Sequence, residues 1–126
     1  MVEARVDAFL DGRIDTAVFR HADHVEVAFG LLGRGGYLEA ATRLSSALKA
    51  ITARAGMPGA YNETITLAFL SLIAERRGVA PNDDYAQFAA ANPDLFDKGV
   101  LGRWYAPDRL GSDLARRTFL LPEPVR

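Results

Sequence analysis

The sequence predicts an all-α fold: a compact single domain over residues 1–126, built as a bundle of four main helices followed by short C-terminal ones. Three observations predict it. Apolar residues recur at helical spacing from Val2 to Ile73. Glycine and proline clusters divide that pattern into helix-length pieces. No stretch alternates apolar and polar residues for long enough to make a strand.

In the first helix Val2, Val6, Phe9 and Leu10 share a face, and Gly12 stops it. The second starts near Asp15 or Thr16, either of which can cap it. It carries Val18, Ala22, Val25, Phe29 and Leu32 on one face and ends in Gly33, Gly35 and Gly36. The third buries Tyr37, Ala41, Leu44, Leu48, Ile51 and Ala55 and stops at the breaker Ala55-Gly56-Met57-Pro58-Gly59. The fourth runs from about Tyr61 to Arg77, with Asn62 a good N-cap, and stops at Gly78. After the turn Ala80-Pro81-Asn82-Asp83, a short helix holds Tyr85, Phe88 and Ala89 and is ended by Asn92-Pro93. A further short helix is expected through Ser112–Phe119, then an extended, proline-bearing stretch over Leu121–Arg126.

Composition bounds the function. With 49% hydrophobic and 25% charged residues the 126-residue chain has the makeup of a globular protein able to bury a core. The net charge of −1 argues against a general nucleic-acid binder. Residues 98–126 hold six Lys+Arg against three Asp+Glu, so this stretch is expected to lie across the more acidic remainder or to offer a cationic edge. There is no cysteine, which excludes disulfides, thiolate metal sites and cysteine nucleophiles. No apolar run approaches the ~20 residues of a membrane span. No apolar signal core is visible near the N-terminus, so the cytoplasm is the expected location.

The fourth helix carries the informative polarity. On a helical wheel Thr64, Ser71 and Glu75 form a narrow solvent stripe, and nearly everything else is apolar, so the helix is expected at the bundle centre. Asn62, Glu63 and Thr66 fall opposite that stripe, on the side of Phe69, Leu70 and Ile73. A carboxylate placed inward there needs a cation, a metal, a strong donor or a proton. The second helix offers partners. His21 and His24, the only histidines, stand at i, i+3 on neighbouring points of one face. If the two helices pack together, both imidazoles can face Glu63. Such a set can ligate a divalent metal such as zinc or iron. It can also act without metal, one imidazole moving a proton while Glu63 fixes its tautomer. Asn62, Thr66 and Tyr61 would orient a small-molecule ligand, and Arg103 or Tyr105 could close the pocket.

The strings Phe19-x-His21-x-x-His24-Val25-x-x-Ala28 and Tyr61-Asn62-Glu63-Thr64-x-Thr66 resemble those of a group of small, uncharacterised bacterial all-helical proteins. So do Ala90-Ala91-Asn92-Pro93-Asp94-Leu95, Trp104-Tyr105 and Leu110-x-Ser112-x-x-Ala115-Arg116. The resemblance covers nearly the whole chain. It implies a coherent family and little mechanism. In that family the position of Asn62 is often histidine, which implies a three-histidine, one-glutamate set. Asparagine here is a poorer ligand for a transition metal and favours a hydrogen-bonding pocket.

Other features have plain structural readings. Gly30-Leu31-Leu32-Gly33-Arg34-Gly35-Gly36 follows a helix and lacks the Gly-Lys-Ser/Thr ending of a phosphate loop. No serine sits in a Gly-x-Ser-x-Gly elbow. Trp104 can anchor the C-terminal segment. The expected function is binding of a small molecule, with acid/base or hydrolytic chemistry at His21, His24 and Glu63 open to it. The rivals are a divalent-metal protein and a non-catalytic interaction module in which Glu63 pairs with Arg116 or Arg117. A helix as apolar as the fourth can also bury a face against a second copy, giving a homodimer.

Overall fold

The computed structural model describes residues 2–17, 19–81 and 83–124. The expectations that involve Val18, Asn82, Val125 and Arg126 lie outside the described residues. The elements in chain order are α1 (Val2–Leu10), α2 (His21–Arg34), α3 (Tyr37–Arg54), α4 (Glu63–Val79), α5 (Tyr85–Ala91), α6 (Pro107–Leu110) and α7 (Asp113–Arg117). Single 3-10 turns occupy Pro58–Ala60, Pro93–Phe96 and Val100–Arg103. Among the described residues there is no strand.

Local chemistry sets the helix ends. α1 and α3 close in the same way. Gly12 (φ +70°) and Gly56 (φ +74°) adopt the left-handed conformation that glycine takes without a Cβ penalty. The amides of Gly12 and Arg13 then bond Phe9 and Ala8 carbonyls, and those of Gly56 and Met57 bond Ala53 and Thr52. Asn62 caps α4, its Oδ1 accepting from the Ile65 amide at 2.9 Å while its Nδ2 donates to the Leu110 carbonyl at 2.7 Å. Asp84 and Ser112 cap α5 and α7 in the same manner.

Three expectations about the helices are corrected. α2 begins at His21, not near Asp15 or Thr16. The Asp15 carboxylate accepts from the Ala17 amide and holds a local turn, whereas Asp23 accepts from the Arg20 amide at 2.8 Å and starts the helix there. α2 is buried more deeply than α4, the helix expected at the centre. Val25 and every residue from Val27 to Leu31 are buried, and α2 packs against α1, α3, α4 and the 93–96 turn. Thr64, placed on the solvent stripe by the wheel, is fully buried. α7 packs on α4 over it. Thr64 Oγ1 donates to the Thr118 carbonyl at 2.8 Å and accepts from the Leu120 amide at 3.0 Å. A wheel sees one helix, and this cover comes from a segment more than fifty residues away.

The buried apolar residues form one cluster, from Val6 and Phe9 through Val25, Leu31, Leu70 and Ile73 to Leu95 and Leu101. Gly30 lets α1 approach α2: an added Cβ would stand 2.5 Å from Val6 Cγ2 and 2.9 Å from Val2 Cγ1. Arg34 meets Glu3 and Asp7, and Arg5 meets Asp23 and Glu26, so ion pairs flank that apolar contact. At the far end of α4, Arg77 donates to the Phe29 carbonyl at 2.6 Å with its guanidinium 4.1 Å from the Phe29 ring centre. Next to it Arg76 grips Asp94 with two bonds of 2.8 and 2.9 Å and also reaches Asn92, and Arg103 adds a contact of 3.1 Å to the same carboxylate. These cations hold Asp94 well below the ordinary carboxylate range, at about 2, with the hydrogen bond from Arg76 the largest cause.

Candidate functional site

A cleft of about 210 Å³ opens between α2, α3 and α4. α2 contributes His24 and Ala28, and α3 contributes Leu44, Leu48 and Thr52. Tyr61, Asn62, Ile65, Thr66, Phe69 and Leu70 form the side given by α4 and the loop before it. The wall is mainly apolar, with an imidazole, hydroxyls and an amide set into it.

His24 sits on the second turn of α2, with its ring 4.6 Å from that of Phe19. Burial is the largest of the effects on it, and it lowers the imidazole from the usual 6.5 to about 4; the nearby His21 lowers it further and Asp23 opposes. His24 is therefore uncharged at neutral pH, with one ring nitrogen able to donate and the other to accept.

Tyr61 is buried, and its phenol donates to Glu63 Oε1 at 2.5 Å. Burial first, then the bond to Glu63, raises the phenol far above its ordinary range, so it stays protonated. Thr66 and Ser45 hydroxyls also interact with it. Lys49 lies 5.3 Å from the Tyr61 ring centre and 3.9 Å from Glu63 Oε1. Glu63 does not line the cleft; it acts on it through Tyr61.

The expected set of His21, His24 and Glu63 is thus divided. His21 Nε2 donates to the Leu95 carbonyl at 2.9 Å, and the ring lies edge-on to Phe69 at 4.9 Å. That ties the start of α2 to the 93–96 turn. Among the described residues no three His, Asp or Glu side chains converge to hold a metal ion, so the zinc or iron set of His21, His24 and Glu63 is not assembled. The physical reason is that two of the three are already engaged, His21 by a carbonyl and Glu63 by a phenol and an ammonium. The pairing of Glu63 with Arg116 or Arg117 is corrected for the same reason. Arg116 instead meets Asp113 at 2.9 Å.

Two residues expected at the pocket mouth lie elsewhere. Arg103 is committed to Asp94. Tyr105 is buried, donates to the Leu120 carbonyl at 2.8 Å and lines a separate groove with Ala68, Leu72, Trp104 and Phe119. Tyr61, Asn62 and Thr66 line the cleft with His24, Asn62 and Thr66 from the side of α4 that the spacing gives them and Tyr61 from the loop before it. The part sequence reasoning missed is α3. Ser45 and Lys49 stand at i, i+4 beside the apolar stripe of Leu44 and Leu48, a pairing that could have marked a polar margin facing Tyr61.

Set against known protein families, curated proteins and solved structures, the chain finds no match in any of the three.

Proposed function

We propose that the protein binds a small, largely apolar molecule in the cleft between α2, α3 and α4, with His24 and Thr66 as its polar contacts. The observation that carries this reading is an apolar cleft holding an imidazole that burial keeps neutral. A cavity of about 150 Å³ accommodates benzene, so 210 Å³ suits a body of one ring and a substituent. The strings that carry the resemblance support it. His24 and Ala28 from one, and Tyr61, Asn62 and Thr66 from the other, meet at this one place.

Binding fits the site better than proton transfer. A general base works best when its pKa lies near the operating pH, and His24 at about 4 lies well below neutrality. Tyr61 stays protonated, and its proton is directed to Glu63 rather than to a ligand. The pair stiffens the entrance to α4 and fixes the Tyr61 ring in the cleft wall.

The experiment is a titration of the labelled protein with benzyl alcohol, a neutral single-ring probe, followed by amide and imidazole NMR shifts. The expected result is saturable shifts centred on His24, Leu44, Leu48 and Thr66, lost in Leu48→Trp, which fills the cleft. Shifts scattered elsewhere, or binding unchanged in Leu48→Trp, overturn the reading. The second reading, a non-catalytic interaction module, is favoured by the internal engagement of His21 and Glu63. It predicts no saturable shift at these positions.

A further inference from the structure

Beside the apolar cleft lies an open recess whose wall includes Phe19, Arg20, His21 and Lys98. His24 and Ile65 belong to both walls, so the two spaces adjoin at one imidazole and one exposed aliphatic side chain. Their electrostatics differ. Among the described residues the cleft wall holds no Lys, Arg, Asp or Glu, and the recess wall holds Arg20 and Lys98 and no acid. Both cations are exposed, and neither side chain meets a carboxylate among the described residues. The acids nearest in sequence have other bonds. Asp97, next to Lys98, accepts from the Gly99 amide at 2.8 Å, and Asp15 accepts from the Ala17 amide at 3.0 Å. Asp23 accepts from Arg5 at 2.9 Å and from the Arg20 amide at 2.8 Å, and Glu26 meets Arg5 at 3.0 Å.

We infer that the ligand of the cleft is a small organic anion, with an apolar body of about one ring among Leu44, Leu48 and Phe69 and an anionic head lying over His24 toward Arg20 and Lys98. The inference rests on the proposed function of the cleft and narrows it to a substrate class. An apolar body alone makes no use of the two exposed cations of the recess. An inorganic anion leaves the cleft unfilled. A molecule with both parts meets both walls, and the guanidinium of Arg20 can take a carboxylate or a phosphate in a forked pair of bonds. Ile65, half-exposed on α4, lines both spaces.

The test compares four probes on the full chain by calorimetry and NMR: phenylacetate, phenyl phosphate, the neutral phenylacetamide, and inorganic phosphate. At low ionic strength, phenylacetate or phenyl phosphate is expected to bind at least ~10-fold more tightly than phenylacetamide, as charge-assisted contacts allow. The tighter of the two anions identifies the head as carboxylate or phosphate. Inorganic phosphate is expected to bind more weakly than either. The double variant Arg20→Gln, Lys98→Gln should lose the preference for the anions while keeping the affinity for phenylacetamide and its melting temperature. Equal affinity for phenylacetamide and both anions overturns this inference and leaves the cleft reading standing. A preference that survives the double variant does the same, and so does inorganic phosphate binding as well as the ring-bearing anions. Failure of all four probes to shift His24 or Leu48 overturns both.

Discussion

At His24 the cost of removing an imidazolium from water exceeds what the neighbouring Asp23 carboxylate returns. The unfolded chain takes up a proton at this side chain near the usual 6.5 and the folded chain only near 4. Between those values the unfolded state binds more protons, so stability falls as pH drops through this window and is complete above it. The contribution lost between pH 7 and pH 5 is about 2 kcal/mol for this one group. Urea unfolding at the two pH values, compared with His24→Phe, isolates it. The variant is expected to show that much less destabilisation, and equal losses in both proteins would remove His24 as the cause. The neighbouring Tyr61–Glu63 pair illustrates the limit of reading residues singly. The sequence placed Glu63 inward and in need of a partner, correctly in chemical kind. The partners are Tyr61, two residues away, and Lys49 from α3. A wheel of α4 does not contain Lys49 and does not show the Tyr61 phenol turning to Glu63.

Among the elements, the joint between α1 and α2 depends on a missing side chain. Gly30 lies in the buried middle of α2, where an alanine would ordinarily favour the helix by about 1 kcal/mol. Here its methyl would overlap Val6 and Val2, so Gly30→Ala is expected to destabilise the fold by about 1–3 kcal/mol. A lowered urea midpoint with an unchanged slope is the reading that checks it, and a raised midpoint would refute the close contact. The helices themselves were largely legible. Periodicity and the glycines at 12 and 56 place α1, α3 and α4 within a residue or two, because those signals are local. The start of α2 was not legible. Asp15 is a good cap in isolation, whereas the residue at the observed N-cap is Arg20, and Asp23, which bonds its amide, lies inside the helix and also meets Arg5 of α1.

The molecule as a whole is stitched by its later segments. Thr64 bonds the Thr118 carbonyl and the Leu120 amide, Tyr105 the Leu120 carbonyl and Glu123 the Ala106 amide, so residues 118–123 are tied to α4 at one end and to residues 105–106 at the other by hydrogen bonds. Thr64→Val keeps the volume but leaves the Thr118 carbonyl and the Leu120 amide without their partner. It is expected to cost about 1–3 kcal/mol and to speed tryptic cleavage at the exposed Arg116 and Arg117. Cleavage at the wild-type rate would show that the strap is held by other means. This is also why the candidate site was only partly readable. Tyr61, Asn62 and Thr66 are close in sequence and arrive together, while Arg103 is held by Asp94 and Tyr105 by this strap.

The knot at Asp94 gives the protein an uneven response to acid. Its carboxylate, held by two guanidinium groups, keeps its charge down to about pH 2, whereas the cost of the buried His24 imidazole is felt as soon as pH falls below its ordinary 6.5. Mild acidification therefore costs stability through the imidazole in the cleft wall while the grips on Asp94 keep their charge.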